Sequence, residues 1–454
     1  MGRIIEIDIE DLAYNGKSIG YDNGKVTFVK GGLPGERVEA RIIKNKRNYN
    51  QAKLLRVITK APERIEAVCK HYDICGGCIW QDLEYSRQLY YKRRQVIACL
   101  KHIGGFKDIN VEEIIPSPDV FFYRNKMEYS FHVLATQGGQ EQFVLGLHER
   151  GRFDHIFDIE ECHLQSQLSN RIVRKLREII GELSIPVYDL IVHQGFMRFV
   201  IIREGKNTGQ VMVNIVTSEG NFQSKDEFTS RLIEAFPEIT TMAWTVNPGK
   251  SNIAIGEIRE ILHGPGYIYE EILGKKFRIN PGAFFQTNSR QAEALYRCAI
   301  ELADIKTGDT VLDLYCGAGT IGICASQNAL EIVGIEIEEE SVAAAVENAK
   351  INKLENCSFH CGSVRKVMLN NNLKNKSFST IFVDPPRAGM HPKALKRLIE
   401  IGAARIVYIS CNPATFSRDA AEIINNGYNL VKISPFDMFP HTMHIELVSL
   451  FAAT

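Results

Sequence analysis

The sequence predicts a multidomain α/β protein with a small N-terminal OB-like β-barrel, a central α+β domain and a C-terminal domain built on a mostly parallel sheet. Three observations support this class. The 454 residues exceed one typical domain, short alternating strands fill residues 1–60, and strand–helix alternation begins near residue 271. The 45% hydrophobic and 24% charged fractions exclude disorder as the main state of the chain.

The first domain, residues 1–60, is predicted to be a barrel with a basic surface. Although the whole chain carries no net charge, its stretch 25–60 holds ten basic residues against two acidic ones. This segregation favours an RNA-binding module, and a solvated charged face is the alternative interpretation. The predicted strands are separated by glycine-rich turns and cover Ile4–Ile9, Lys25–Val29, Arg37–Ile43 and Gln51–Ile58.

The start of the chain and its cysteines indicate a cellular compartment. Residues 1–10 alternate apolar and acidic side chains, which is a strand pattern and not that of a signal peptide. No run of eighteen apolar residues predicts a membrane span. Eleven cysteines, an odd number, fit reduced thiols or a metal site better than a disulfide framework. We therefore expect a cytoplasmic protein with no membrane partner.

The second domain, residues 61–270, contains a cysteine cluster. Cys69, Cys75 and Cys78 form a C-x₅-C-x₂-C pattern around Gly-Gly, and Cys162 is the candidate fourth ligand. Four thiolates suit either zinc or an iron–sulfur cluster, and the spacing alone leaves both open. His71 and His163 flank these cysteines and are expected to face solvent rather than to act as ligands.

Two further features of the second domain could contact RNA. A basic helical stretch runs from Leu83 to Ile103, and the aromatic run Phe121–Tyr123 could stack on bases or simply form strand material. Another helix is predicted over Gln167–Gly181.

The third domain, residues 271–454, carries a cofactor motif. A buried strand leads into Gly317, Gly319 and Gly322, and Glu336 ends the next strand, where a carboxylate can accept ribose hydroxyls. This pattern alone leaves NAD and S-adenosylmethionine open. Asp313 favours S-adenosylmethionine, because dinucleotide fingerprints usually have an apolar strand at that place. The predicted strands are Thr310–Tyr315, Ile332–Ile337, Thr380–Asp384 and Arg405–Ser410.

Two strand ends of the third domain carry reactive side chains. Asp384 precedes two prolines, and Cys411 precedes Asn-Pro. Ligands of open α/β sheets bind outside the carboxyl ends of the strands, so both side chains should face the cofactor crevice. Cys411 is therefore a candidate nucleophile, whereas Cys298, Cys324 and Cys357 are expected in the core.

Four ordered motifs together resemble the RNA (uracil-5-)-methyltransferases of the RumA/TrmA type, and the resemblance covers essentially the whole chain. The motifs are the segments 284–288 (Phe-Phe-Gln-Thr-Asn), 384–389 (Asp-Pro-Pro-Arg-Ala-Gly), 410–415 (Ser-Cys-Asn-Pro-Ala-Thr) and 439–446 (Phe-Pro-His-Thr-Met-His-Ile-Glu). The resemblance implies a TRAM-like barrel at 1–60 and a Rossmann-like class I methyltransferase domain at 271–454. It also implies that the stretch 83–116 packs on the catalytic domain.

The resemblance assigns roles to individual residues. Cys411 would attack C6 of the uracil, and Glu446 would remove the C5 proton after methyl transfer from S-adenosylmethionine. The residues implied to line the cofactor or orient the base are Gln286, Tyr315, Gly317, Gly319, Glu336 and Asp384. Two departures stand out: Tyr315 replaces a phenylalanine, and Ser363 replaces the acid or amide expected near the adenine, which leaves its contact with the cofactor open.

The resemblance also implies cofactors and partners. It favours a [4Fe–4S] cluster on Cys69, Cys75, Cys78 and Cys162, and a monomer that methylates 23S rRNA, because relatives acting on tRNA generally lack the barrel and the cluster. A tRNA enzyme and a non-catalytic RNA-binding factor are the alternatives. Two other enzyme classes are disfavoured. Radical S-adenosylmethionine enzymes usually carry a C-x₃-C-x₂-C pattern, which is absent from this sequence, and N-methyltransferases usually have an aromatic residue at the position of Arg387.

Overall fold

The computed structural model describes residues 2–14, 16–135, 141–152, 154–368, 373 and 376–454. It contains a closed barrel, two seven-stranded sheets and one hairpin, which confirms the predicted multidomain α/β class. None of the helices in these ranges is long and apolar enough to cross a membrane.

The N-terminal barrel closes through five strands in the order β1-β2-β3-β5-β4. Alternate residues of β1, such as Ile5 and Ile7, point into the barrel core. The sequence pattern misses β2, because Gly20 interrupts the alternation. A Cβ at Gly20 would lie 2.4 Å from the carbonyl oxygen of Asp8, so the close approach of β1 and β2 requires glycine there. The strands are β1 (Ile4–Leu12), β2 (Ser18–Asp22), β3 (Lys25–Lys30), β4 (Arg37–Asn45) and β5 (Asn50–Thr59).

The central sheet has the strand order β12-β11-β10-β9-β6-β7-β8. Strands β9 and β10 are buried along their whole length, since they lie in the middle of the sheet. Helices α2 and α3 pack on each other beside it. The elements are α1 (Tyr85–His102), which precedes the sheet, then β6 (Lys126–Ala135), β7 (Glu141–His148), β8 (Ile156–Asp158), α2 (Gln167–Glu182), β9 (Met197–Glu204), β10 (Val211–Thr217), α3 (Lys225–Ala235), β11 (Ile239–Val246) and β12 (Glu257–His263).

A hairpin links the central sheet to the C-terminal domain. It consists of β13 (Ile268–Ile272) and β14 (Lys275–Ile279), and its apolar side chains join the core of the C-terminal domain.

The C-terminal sheet has the order β17-β16-β15-β18-β19-β21-β20. All pairs are parallel except those that β21 makes with β19 and β20. The elements are α4 (Ser289–Ala303), β15 (Thr310–Leu314), α5 (Thr320–Ala325), β16 (Glu331–Glu336), α6 (Glu339–Ile351), β17 (Cys357–Cys361), α7 (Val364–Val367), β18 (Thr380–Val383), α8 (Pro392–Ile401), β19 (Arg405–Ser410), α9 (Pro413–Asn425), β20 (Tyr428–Phe436) and β21 (Glu446–Ala453).

Helix α1 belongs to the core of the C-terminal domain although it lies far from it in sequence. Val96 and Leu100 are fully buried among the side chains of that core, and α1 packs against α9. Lys92 on the same helix forms a buried ion pair with Asp437, with 2.5 Å between Nζ and Oδ1. The helix therefore joins the barrel and the cysteine loop (residues 61–82) on one side to the C-terminal sheet on the other.

Candidate active site and cysteine cavity

The ends of β19 and β21 bring Cys411 and Glu446 together. In this antiparallel pair Ser410 is opposite Leu447, so the next position along each strand edge places Cys411 beside Glu446. The Glu446 side chain is buried, and Cys411 is partly exposed. A thiol and a carboxyl group are thus neighbours at the carboxyl edge of the sheet, where ligands of α/β proteins bind.

The loops after β18 and β19 are held to each other. Asn412 donates from Nδ2 to the carbonyl oxygen of Arg387 at 3.0 Å, and its Oδ1 accepts the amide of Ala414 at 3.0 Å, which caps α9. Pro413 at the start of α9 has no amide hydrogen to satisfy. The Ser-Cys-Asn-Pro segment therefore has one defined conformation and fixes the thiol at the crevice.

Burial and mutual repulsion control the charges of this pair. Burial raises the pKa of Glu446 well above its usual value, and Asp384 raises it further. Burial also raises the pKa of Cys411 to about 12, with smaller contributions from Glu446 and Asp384. Arg387 acts in the opposite direction on both groups. In the free protein burial therefore favours the protonated forms of both groups, and Arg387 is the cation that favours their ionised forms.

Arg387 is oriented by His444. Its Nη2 atom lies 3.0 Å from Nδ1 of His444, so the guanidinium donates and the imidazole accepts. Burial first, and then the nearby Arg387 cation, lower the pKa of His444 to about 4, which keeps the ring neutral. The motif that contains Glu446 thus also supplies a group that directs the arginine toward the thiol.

The glycine loop after β15 forms a backbone cradle. Gly317 and Gly319 have φ angles of 53° and 77°, a region that favours glycine, and Gly317 has open space where a Cβ would stand. Glu336 accepts the amide of Gly317 through Oε2 at 3.1 Å. A cavity of about 280 Å³ lies beside it. Its lining includes Tyr315, Glu336, Ile337, Ser363, Val364 and His391.

Two carboxyl groups, the buried Asp313 and the half-buried Asp384, lie near the cradle and the Cys411–Glu446 pair. Burial raises the pKa of Asp313 and that of Asp384 to about 7 in each case. Asp313 accepts the amide of Gly322 at 3.0 Å, while its Oδ1 atom is buried without a partner among the described residues. An unsatisfied buried oxygen of Asp313 beside an open glycine cradle fits a cationic, hydrogen-bonding cofactor such as S-adenosylmethionine.

Gln286 lies on the segment that leads into α4, half-buried. Asn125 donates to its carbonyl oxygen at 2.7 Å, and Asn288 donates to the carbonyl oxygen of Met438 at 3.0 Å. These bonds bring the segment next to the stretch that precedes Glu446. Among the described contacts none joins the Gln286 amide to Cys411, so the structure places its backbone near the site and leaves its side chain without a defined partner.

The cysteine loop holds the stretch before Glu446. The amides of Ile79 and Trp80 donate to the carbonyl oxygen of His441 at 2.9 and 3.2 Å. Gln88 accepts the His441 amide at 2.9 Å, and the ring of Phe121 stacks on the His441 ring at 4.5 Å. His441 has a φ of 65°, a strained backbone for a non-glycine residue, and these contacts hold it there.

The four predicted cysteines line one cavity of about 540 Å³. Burial raises the pKa of Cys78 to about 12 and that of Cys162 to about 11. Without a cation the four sulfurs are therefore neutral thiols, and neighbouring thiolates would repel each other. A metal or cluster would be needed to hold them as thiolates.

Backbone amides are directed at three of the four sulfurs. Cys75 accepts the amide of Gly77 at 3.3 Å, Cys69 accepts one from His71, and Cys162 accepts those of Leu164 and Gln165. Cys78 accepts from the Gln81 side chain at 3.7 Å. Such donors stabilise negative sulfur, and they tune the potential of iron–sulfur clusters. This donor set fits a thiolate-bound cluster.

Among the described residues no group of three or more His, Cys, Asp or Glu side chains is close enough to hold one metal ion. A tetrahedral zinc with bonds of about 2.3 Å would bring its sulfurs to roughly 3.8 Å from each other. An iron–sulfur cube keeps its thiolates farther apart, because each binds a different corner.

One expectation about the neighbouring residues is wrong, and base stacking, one of the two interpretations of the aromatic run, does not hold for Tyr123. His71 does not face solvent: its ring is buried, lies 5.2 Å from Phe157 and accepts the amide of Glu160 at 3.2 Å. Tyr123 is buried and cannot stack on a base, since its hydroxyl donates to the carbonyl oxygen of Pro440. Phe122 remains partly exposed. The sequence offers no local signal for these packing differences within one aromatic run.

The basic surfaces lie on the barrel and on α1. Lys30, Lys44 and Lys53 are exposed on the barrel. On α1, Arg87 lies 4.4 Å from the centre of the Tyr90 ring, and Arg94 lies 5.6 Å from the same ring. Stacked cations and aromatic rings of this kind suit a nucleic-acid backbone and unpaired bases.

Comparison with protein families gives two matches. Residues 261–453 match the family described as tRNA (Uracil-5-)-methyltransferase, and residues 1–55 match the TRAM domain. The first match covers the hairpin β13–β14 and the whole C-terminal sheet with Cys411 and Glu446, and the second covers most of the barrel.

Individual relatives extend the similarity over the full length. An uncharacterized RNA methyltransferase of Caldanaerobacter subterraneus is 37% identical, over 99% of this chain and 98% of the relative. Another from Chlorobaculum tepidum is 38% identical, over 99% and 96%. The crystal structure of Pyrococcus abyssi tRNA (uracil-54, C5)-methyltransferase in complex with S-adenosyl-L-homocysteine superposes with a TM-score of 0.79 at 32% identity, and covers 99% of this chain and 100% of that one. The chain thus belongs to the RNA (uracil-5-)-methyltransferase family and is an S-adenosylmethionine-dependent enzyme.

Proposed function

We propose that the enzyme methylates C5 of a specific uridine in 23S rRNA through a covalent adduct between Cys411 and C6 of the uracil. The adjacent placement of Cys411 and Glu446 at the sheet edge is the observation that carries this proposal. Arg387 supplies the cation that acts on both groups.

The first step forms a bond between Cys411 sulfur and C6. The electron pair of the C5–C6 double bond moves toward the C4 carbonyl oxygen, which makes an enolate and turns C5 into a nucleophile. The attacking species is the thiolate, so the partly exposed thiol must first release its proton to solvent. Arg387 favours that ionisation, because it lowers the pKa that burial has raised.

The second half of the reaction needs a base. S-adenosylmethionine would supply the methyl group that C5 takes and would leave as the neutral thioether, S-adenosyl-L-homocysteine. Glu446, in the ionised form that Arg387 favours, then removes the C5 proton, the electron pair restores the C5–C6 double bond, and Cys411 leaves as the thiolate. General-base help of this kind contributes about 10²–10⁴-fold. A carboxyl group whose pKa is raised by burial is a strong enough base for that proton.

The cofactor residues follow from the cradle. Gly317 and Gly319 would admit the cofactor to the backbone, Glu336 would accept ribose hydroxyls, and Tyr315 would pack on the adenine side of the 280 Å³ cavity. Asp384 lies between this cradle and Cys411 and would face the sulfonium charge, which favours its ionised form. Gln286 is proposed to orient the base.

The target uridine must leave its stack to reach Cys411. The thiol is half-buried at the crevice, so a base within a duplex cannot approach it. The expected substrate is a uridine in a loop of structured RNA, and the basic barrel and α1 would bind the surrounding RNA. The enzyme is proposed to act as a monomer.

We also propose that Cys69, Cys75, Cys78 and Cys162 hold a [4Fe–4S] cluster. Protein purified without oxygen and reconstituted with iron and sulfide should contain about four irons per chain and absorb broadly near 400 nm. Cys75→Ser should lose this absorbance and most of the iron, whereas Cys298→Ser in α4 should keep both. Tight binding of zinc in place of iron by the wild type would contradict the cluster.

A tRNA is the second candidate substrate, and a specific observation favours it. The Pyrococcus abyssi enzyme named as acting on uracil 54 of tRNA matches this chain over its full length, so a chain of this architecture acts on tRNA in that case. The barrel therefore does not by itself select rRNA. The proposal of 23S rRNA rests on the resemblance of barrel and cysteine set to the rRNA enzymes.

Transfer of labelled methyl groups distinguishes the two substrates. The enzyme is incubated with labelled S-adenosylmethionine and with 23S rRNA or tRNA from cells that lack 5-methyluridine, and Cys411→Ala is the control. Label in 23S rRNA that the variant loses supports the proposal. Label in tRNA keeps the chemistry and overturns the target, and absence of label from both RNAs overturns the function.

A further inference from the structure

The loop between β1 and β2 brings the barrel to the reaction centre. Gln95 of α1 donates to the carbonyl oxygens of Leu12 and Ala13 at 3.4 and 3.2 Å, which fixes the loop on the helix. Leu12 also packs with Trp80, Tyr91 and Met443. The N-terminal barrel is therefore docked against the stretch that leads to Glu446.

Gly16 shows how close this approach is. Its φ is 74°, and a Cβ there would lie 2.6 Å from Cδ1 of Ile79 and 3.5 Å from Sδ of Met443. Only glycine fits both the backbone and the gap. Met443 directly precedes His444, the residue that orients Arg387.

Tyr14 lies on this loop and is partly buried. The charged groups that act on its hydroxyl include Arg387, Cys411 and Glu446, which are the reactive groups of the site. Burial raises the pKa of Tyr14 to about 12, so the phenol keeps its proton at neutral pH. Among the described contacts its hydroxyl has no hydrogen-bond partner, and it is thus a donor available to a ligand.

We propose that Tyr14 of the barrel contacts the flipped uracil and donates a hydrogen bond to its O4 atom while Cys411 adds to C6. Negative charge develops on O4 when the C5–C6 electron pair moves toward the carbonyl, and a donor aimed there stabilises this state more than the starting base. Tyr14 donates a hydrogen bond but does not transfer its proton, so the step needs no additional acid or base. The barrel then contributes a residue to the active site in addition to binding RNA.

This inference rests on the proposed uridine chemistry, and variants of two tyrosines test it. Tyr14→Phe removes only the hydroxyl, and Tyr21→Phe is the matched control on an exposed part of the same barrel. The full-length enzyme is mixed with saturating RNA that contains 5-fluorouridine, and the rate of adduct formation is measured together with the Kd for RNA. Tyr14→Phe should slow the adduct about tenfold at an unchanged Kd, as for one lost hydrogen bond.

A second substrate separates a base contact from a packing role. In RNA with 4-thiouridine at the target, sulfur replaces O4 and accepts hydrogen bonds poorly, so wild type and Tyr14→Phe should methylate it at similar rates. An unchanged adduct rate in Tyr14→Phe, or a defect that persists undiminished with 4-thiouridine, would overturn the inference. An adduct that forms equally in Cys411→Ala would instead overturn the proposed function.

Discussion

The Cys411 thiol is held in an environment that keeps it protonated until substrate arrives. Burial, Glu446 and Asp384 all disfavour the thiolate, and only Arg387 among the named neighbours favours it. In the proposed mechanism this arrangement protects the thiol from oxidation, and the thiol is activated by the groups that substrate and cofactor bring to the site.

The pH dependence of alkylation measures this protection. Because burial raises the pKa of Cys411 to about 12, the thiolate fraction increases with pH across the neutral range. Alkylation of Cys411 by iodoacetamide, followed on its own peptide by mass spectrometry, should accelerate about tenfold per pH unit between about pH 7 and 9. Arg387→Met should be slower at each pH. An alkylation rate that levels off near pH 8 would show that Cys411 has the pKa of an ordinary thiol, and it would contradict the expected effect of burial.

Replacement of Glu446 by glutamine separates the two halves of the reaction. Gln cannot remove the C5 proton, so the methylated adduct should persist instead of releasing its product. With unmodified RNA and S-adenosylmethionine, Glu446→Gln should form a denaturant-stable complex and turn over about 10²–10⁴-fold more slowly. Rapid turnover without such a complex would exclude Glu446 as the base.

At the scale of elements, the cysteine loop and the stretch before Glu446 act as one unit. Two backbone hydrogen bonds from Ile79 and Trp80, one from the His441 amide to the Gln88 side chain and one ring stack with Phe121 make this connection. The loop has little regular secondary structure of its own, so a cluster bound to its cysteines would order it and, through it, the catalytic stretch.

Loss of a cluster ligand should therefore destabilise the local structure around His441. In Cys75→Ser we expect the amides of Ile79, Trp80 and His441 to exchange hydrogen at least about tenfold faster, because local opening becomes easier. Cys298→Ser, in α4, is the control. Exchange measured by mass spectrometry that stays at the wild-type rate would show that the loop holds its conformation without the cluster.

The sequence pattern predicts those strands and strand ends whose formation depends on residues that are neighbours in the chain. The strand ends with Asp384 and Cys411 follow from hydrophobic runs that stop at polar residues, and four of five barrel strands follow from alternation. His71, Tyr123 and Tyr14 could not be placed in this way, because their surroundings come from segments up to hundreds of residues apart. Arg387 stands in a motif, but only the folded chain shows that it acts on Cys411 and bonds His444.

At the scale of the whole molecule, α1 joins three parts of the chain. Arg94 pairs with Asp11 of the barrel at 2.7 Å, and Lys92 pairs with Asp437 next to the catalytic stretch. The Arg94 pair is exposed and contributes little to stability, whereas both members of the Lys92 pair are fully buried. Burial lowers the pKa of Lys92, and Asp437 opposes that shift.

Removal of one member of this buried pair should be costly. Lys92→Met leaves the Asp437 carboxylate buried without its cation, and we expect the free energy of unfolding to fall by about 3–5 kcal/mol. The double change Lys92→Met with Asp437→Leu should recover most of that loss. Arg297→Met, which breaks an exposed pair with Glu293, should change stability by about 0.5 kcal/mol or less in the same urea titration.

The proposed mechanism requires a covalent bond between Cys411 and the target uracil. RNA that contains 5-fluorouridine is incubated with enzyme and S-adenosylmethionine, denatured and digested, and the modified peptide is identified by mass spectrometry. Fluorine at C5 cannot leave as a proton, so the adduct accumulates. We predict that the nucleotide is attached to the peptide at Cys411 and that Cys411→Ala yields none. Attachment at another residue, or methylation without any adduct, would contradict the claim.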